Sequence, residues 1–107
     1  MPWAQSDYSA AAQRRIDYFA AVAAENSAEH WQLGLDTARE WLRLINASPL
    51  SAQQVASIVD RAQMNQRRGT GWSLMAFSIR WWASRRGFTV PSFEEFYRQA
   101  DSMNGSA

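Results

Sequence analysis

The chain has no cysteine and no lysine. Without cysteine there is no disulfide framework, no thiolate zinc site and no cysteine nucleophile, a composition that fits a reducing compartment. Without lysine, all eleven basic side chains are arginine. A GC-rich coding bias explains such a set most simply. The physical consequence is the same whatever the cause, because arginine grips phosphate or carboxylate in bidentate fashion and stacks on planar groups. No run of 18 apolar residues occurs, and no basic-then-apolar leader opens the chain. Neither a membrane span nor a standard export signal is therefore expected. No stretch alternates as a half-buried strand does, and neither an internal repeat nor a low-complexity linker is visible.

Catalytic signatures are missing too. His30 is the only histidine, and Glu25 and Glu29 beside it make a poor ligand set for a metal. No nucleophile elbow supports a Ser–His–Asp arrangement. Glu94 and Glu95 look like paired carboxylates, but they fall in the first turn of a helix. There Glu95 completes a capping box with Ser92, and both acids favour the helix dipole. The "GTG" at 69–71 is too short to cradle a phosphate, and no lysine follows it. The chain is expected to have no enzymatic activity, no cofactor, no metal and no small-molecule substrate.

What is present is a helical pattern almost throughout. In 107 residues with 47% apolar and 13% aromatic content, we expect one ordered domain over 1–107, frayed at 1–6 and 104–107. The fold class is all-α, a compact bundle of four to six helices. A first helix is predicted from about Tyr8 to Glu25, with Tyr8, Ala12, Ile16, Phe19, Val22 and Ala23 on one face. Arg15 falls inside that apolar arc, where an arginine snorkels to the edge or pairs with a carboxylate. Ser27 is the expected N-cap of a second helix with a Trp31, Leu35, Ala38, Leu42 and Ile45 stripe, flanked by Trp41. Gly34 could divide it, with Asp36 capping a new start. After the loop "ASPLS", Ser51 and Gln54 read as a capping box for a third helix on Val55, Ile58, Val59 and Ala62. The turn "NQRRGTG" leads to a fourth helix that starts near Thr70 to Trp72 and stops at Gly87, a left-handed cap. "FTVPS" is extended. The Ser92–Glu95 box then opens a final helix carrying Phe93, Phe96, Tyr97 and Ala100.

The net charge of +1 conceals an uneven distribution. Residues 1–60 hold four arginines and seven acids, whereas residues 61–93 hold six arginines and no acid. That basic middle segment contains "GTGWSLMAFSIRWWASRRG", with three of the six tryptophans. At 100° per residue, Trp72, Met75, Ala76, Ile79, Trp82 and Ala83 share one arc, and Leu74, Phe77 and Trp81 share another. A helix apolar on two sides is usually buried between neighbours, so the first expectation places both arcs in the core. The alternative exposes the second arc beside Arg80 and Arg85, with Arg67, Arg68 and Arg86 near the helix ends. Aromatics interleaved with arginines make a single-stranded nucleic-acid platform, with bases stacked on rings and phosphates held by guanidinium groups. The same composition suits a protein–protein hot spot.

Two further readings come from the wider pattern. The segment from Ser51 to Arg86 has the helix–turn–helix outline of a transcription regulator that reads duplex DNA, but a recognition helix presents polar groups to base edges and this one presents tryptophan, phenylalanine and methionine. The whole profile (small, helical, cysteine-free, without catalytic groups, with one Arg/Trp-rich segment) resembles accessory proteins of bacteriophages and mobile elements. Among these it is similar to the anti-CRISPR proteins that block type I surveillance complexes. That resemblance implies an inhibitor in the cytoplasm of a bacterial host cell, a monomer or homodimer, acting on a CRISPR-type nucleoprotein complex or on nucleic acid. An acidic DNA mimic would need dense carboxylates, which only Glu25, Glu29, Asp36 and Glu40 approach. Single-strand binding through Arg67, Arg68, Arg80, Trp81, Arg85 and Arg86 fits the charge distribution better. The rival class is a protein–protein module with a Leu74, Phe77 and Trp81 seam.

Overall fold

Local signals in the sequence account for most helix boundaries in a computed structural model, which describes residues 4–90. The elements are α1 (Gln5–Glu25), α2 (Glu29–Ile45), α3 (Ala52–Met64), a 3-10 turn (Gln66–Arg68) and α4 (Thr70–Arg85). Among the described residues there is no strand, and the architecture is the all-α bundle that the periodicity predicts. The expected final helix with its Ser92–Glu95 box, and the expected frayed tail, lie outside the described residues.

The first helix begins at Gln5, earlier than Tyr8 and inside the stretch expected to fray. Asp7 explains the early start. Its Oδ2 accepts the Ala4 N–H at 2.8 Å, which satisfies a terminal donor and places a negative charge at the positive end of the helix dipole. Gln5 Nε2 also donates to the Ile45 carbonyl at 2.9 Å, tying the start of α1 to the end of α2.

In α2 the expected Ser27 cap is replaced. Ala28 occupies the N-cap position, and Asn26 Oδ1 accepts the Ala28 N–H at 3.0 Å. This local Asx turn sets the entry of the chain one residue later than Ser27, and α2 starts without a side-chain cap. Nor does Gly34 divide the helix, which runs unbroken through it. Gly34 is buried against Phe19, whose ring fills the space a Cβ would occupy. Its role is close approach between α1 and α2. In the inward row of α2, Leu35, Ala38 and Ile45 of the expected stripe are buried, but Trp31 and Leu42 are only half-buried, and the flanking Trp41 is fully buried in their place. Thr37 joins that row by donating its hydroxyl to the Leu33 carbonyl at 2.7 Å, which satisfies it without water.

Ser51 caps α3, its Oγ accepting the Gln54 N–H at 3.3 Å, and Val55, Ile58, Val59 and Ala62 are buried as predicted. Arg61 of α3 donates to Glu40 of α2 at 2.8 Å across the helix interface. Two glycines bound α4. Gly69 has φ +148 just before it, and Gly87 has φ +90 just after it. Around Gly87 the Phe88 N–H reaches the Ala83 carbonyl and the Gly87 N–H reaches the Ser84 carbonyl, both at 3.0 Å. This is the Schellman closure that a glycine at that position permits.

One face of α4 supplies the centre of the core. Trp72, Met75, Ala76, Ile79, Trp82 and Ala83 are all buried. The Trp72 indole donates to the His30 carbonyl at 3.0 Å and packs edge-on to Phe19 at 5.5 Å. Trp82 packs edge-on to Trp41 at 6.5 Å. The second arc behaves otherwise, and the expectation that both arcs are core is corrected: Leu74 and Phe77 are 50% exposed and Trp81 is 43% exposed. A helix must have neighbours on two sides to bury two arcs. Here the buried side chains of α4 are those of the first arc, and α1 reaches the second arc only along its border, through Tyr8 beside Trp81 and Ala11 beside Leu74.

Candidate functional site

Residues 74, 77 and 81 recur at helical spacing, so their side chains form one row along the outer face of α4. The Phe77 and Trp81 rings lie nearly parallel, with an interplanar angle of 12° and centroids 6.3 Å apart. The Arg85 guanidinium lies over the Trp81 ring, 5.2 Å from its centroid. That of Arg80 lies over the Phe77 ring at 5.9 Å. Each ring thus carries its own cation. Such contacts hold the guanidinium groups in place, at roughly 0.5–1 kcal/mol each on an exposed surface.

The row runs on to α1. Tyr18 packs beside Gly71, where a Cβ would meet its ring, so the two helices touch closely at that end. Arg15 lies over the Tyr18 ring at 5.5 Å, a snorkelling position at the edge of the apolar arc. Between the helices a shallow groove of about 190 Å³ is lined by Ala11, Arg14, Arg15, Leu74 and Ser78. At the other end the buried Tyr8 faces Trp81 and Arg85. Burial pushes the Tyr8 pKa up, against the opposing influence of the Arg85 charge and the Trp81 indole N–H.

The six residues singled out from the sequence do not form one site. Arg80, Trp81 and Arg85 cluster on the outer face of α4, and Arg86 is exposed at its C-cap. Arg67 and Arg68 sit in the 3-10 turn before α4, whose start lies about 15 Å from Arg80 and about 24 Å from Arg86 by the helical rise. Arg68 lines a separate cleft of about 590 Å³ that contains the acids Glu29 and Asp36 and the imidazole of His30. Its charge has carboxylates close by. The helix between them separates the two arginine pairs that the linear sequence brings together. Conversely, Arg14, Arg15, Tyr18, Leu74 and Phe77 border the face and were absent from the six. Leu74 and Phe77 had been placed on the second arc. The α1 contribution had no signal beyond Arg15 in an apolar arc.

Elsewhere the chemistry is sparse. Among the described residues no group of three or more His, Asp or Glu side chains could hold a metal ion. The carboxylates of α2 are partly occupied: Glu40 takes Arg61 at 2.8 Å and Arg43 at 3.9 Å, and Asp36 accepts from Gln32 at 3.0 Å. No helix among the described residues is long and apolar enough to cross a membrane.

No protein-family model, curated protein or solved structure matches the chain. The outer face of α4 must therefore be read on its own chemistry. It offers two parallel aromatic surfaces with cations above them, bordered by further arginines and, within the groove, by no acid among the described residues. Such a surface can stack planar groups and hold anionic ones in the same few ångströms.

Proposed function

We propose that the protein is a non-enzymatic binding protein that takes single-stranded nucleic acid, free or within a nucleic-acid-handling complex, on the Phe77–Trp81 platform. The observation that carries this reading is the half-exposed, parallel ring pair with Arg80 and Arg85 over its members. Rings stack with any base, worth about 1–3 kcal/mol per base, and the arginines take the phosphates. The partial neutralisation of Glu40 argues against an acidic mimic of DNA. Duplex readout fits less well, because the outward residues of α4 include Leu74, Phe77 and Trp81 in place of groups that bond base edges. An accessory inhibitor of the anti-CRISPR kind, meeting a CRISPR-type complex in a bacterial cytoplasm, is the cellular form of the proposal.

The test is a titration of tryptophan emission with an unlabelled oligothymidylate at low and moderate salt. Saturating quenching in the wild type that is lost in Trp81→Phe/Phe77→Ala, and that weakens with salt, supports the reading. An affinity untouched by those substitutions overturns it.

A second reading rests on a specific observation. Leu74, Phe77 and Trp81 form an exposed apolar row that two copies could pair across. A seam of that kind predicts a concentration-dependent dimer in sedimentation, abolished by Leu74→Glu and nearly indifferent to salt. A strand platform predicts a monomer with a strong salt slope.

A further inference from the structure

The α1–α4 groove is built differently on its two walls. One wall is cationic, from Arg14 and Arg15. The other is Leu74, half-exposed and apolar, with the Ser78 hydroxyl one turn further along α4. Ala11 forms the floor and leaves it open. Among the described residues neither Arg14 nor Arg15 is in an ion pair, whereas Arg43 and Arg61 both reach Glu40. Nor does any carboxylate of the described residues line the groove. The groove borders the ring row directly, since Leu74 belongs to both.

We propose that this groove is the phosphate lane of a single strand whose bases stack on Phe77 and Trp81. The inference rests on the platform reading above and adds a path to it. Arg14 and Arg15 would hold two successive phosphates, the Ser78 hydroxyl would donate to one of them, and Leu74 would pack on a sugar. The opposite side of the ring row is held by Arg80, whose guanidinium lies over Phe77. The backbone is thus directed to the α1 side and the bases to the rings. From Arg85 back to Gly71, beside which Tyr18 packs, α4 spans about 21 Å, room for on the order of four to six nucleotides.

The experiment compares the salt dependence of oligothymidylate binding in the wild type, in Arg14→Gln/Arg15→Gln and in Arg39→Gln/Arg43→Gln. The last pair lowers the charge equally on exposed positions of α2. Helical content and melting are checked by circular dichroism for each. Each phosphate contact on a single strand contributes about 0.7 to the slope of log affinity against log salt. Loss of two contacts lowers the slope by about 1.4, so the variant loses about 25-fold less affinity per decade of salt than the wild type. Emission quenching at saturation should persist, because the rings are untouched, and the α2 pair should keep the wild-type slope. If the groove variant keeps that slope while the wild type binds with quenching, the lane is wrong and the platform stands. If both pairs lower the slope equally, the effect is general charge and the lane is again wrong. If the wild type shows no binding at all, the platform fails and the lane fails with it.

Discussion

Trp81 and Trp82 are neighbours in the chain with opposite surroundings, and truncating each to alanine gives the sharpest test of the fold. Trp82 is 1% exposed and packs edge-on to Trp41, against 43% exposure for Trp81. A buried tryptophan removes about 150–250 Å² from water, and at about 25 cal/mol per Å² that is worth roughly 4–6 kcal/mol as an upper bound. Partial collapse of the site brings the expected loss for Trp82→Ala to about 3–5 kcal/mol. This is a large share of the roughly 5–15 kcal/mol that holds a domain together. Trp81→Ala loses the contacts with Phe77 and Arg85 and its half-buried edge, about 1–2 kcal/mol together. The difference of about 2–3 kcal/mol corresponds to roughly 10–20 °C in Tm for a domain of this size. Urea and thermal unfolding followed at 222 nm read it directly. Under the proposed function, binding of oligothymidylate should show the reverse order, with Trp81→Ala losing about 5- to 100-fold in affinity. Equal destabilisation by the two changes, or a Trp82→Ala protein that melts like the wild type, would refute the assignment of inner and outer faces.

Three other outcomes follow from particular contacts. Gly34→Ala should destabilise by about 1–3 kcal/mol despite the better helix former, because the buried Phe19 ring cannot move aside; Gly71→Ala should be near neutral, since exposed Tyr18 can swing outward, and chemical denaturation of the pair tests the contrast. Arg85→Ala/Arg86→Ala should melt within about 1 kcal/mol of the wild type yet lose single-strand binding, and a collapse of the fold would show these exposed arginines to be structural. Tyr8 has a folded pKa raised by burial above the ordinary value of about 10, so its contribution is complete below that pH and is lost as the pH climbs through the raised value. Stability measured by urea between pH 9 and 11 should therefore fall more steeply in the wild type than in Tyr8→Phe, with no lysine titrating in the same window.

The helices were legible wherever a local rule had no competitor. Ser51 capping α3 and Gly87 closing α4 were both readable, because each depends on residues within one turn. Ser27 misled because the Asn26 side chain turns the chain onto Ala28, and α2 starts there without a side-chain cap. Gly34 misled because its reason lies in Phe19, fifteen positions away, and helix propensity contains no information about a neighbouring ring. The arginine grouping failed for a similar reason. Charge counted along the chain merges Arg67 and Arg68 with Arg85 and Arg86, although α4 holds them apart and Glu29 and Asp36 stand near Arg68.

By itself the sequence determined the all-α class, most helix boundaries, the absence of thiol chemistry and the two-arc pattern of residues 72–86. All of these follow from residue type and a period of 3.6. Which arc faces outward was decided only by the tertiary structure. Both arcs are apolar, so hydrophobicity does not rank them, and the choice falls to the packing of α1, α2 and α3 against the face carrying Trp72, Ile79 and Trp82. The same packing sets Arg14, Arg15 and Tyr18 beside Leu74 and Ser78, a neighbourhood made by two helices meeting across some sixty residues of chain.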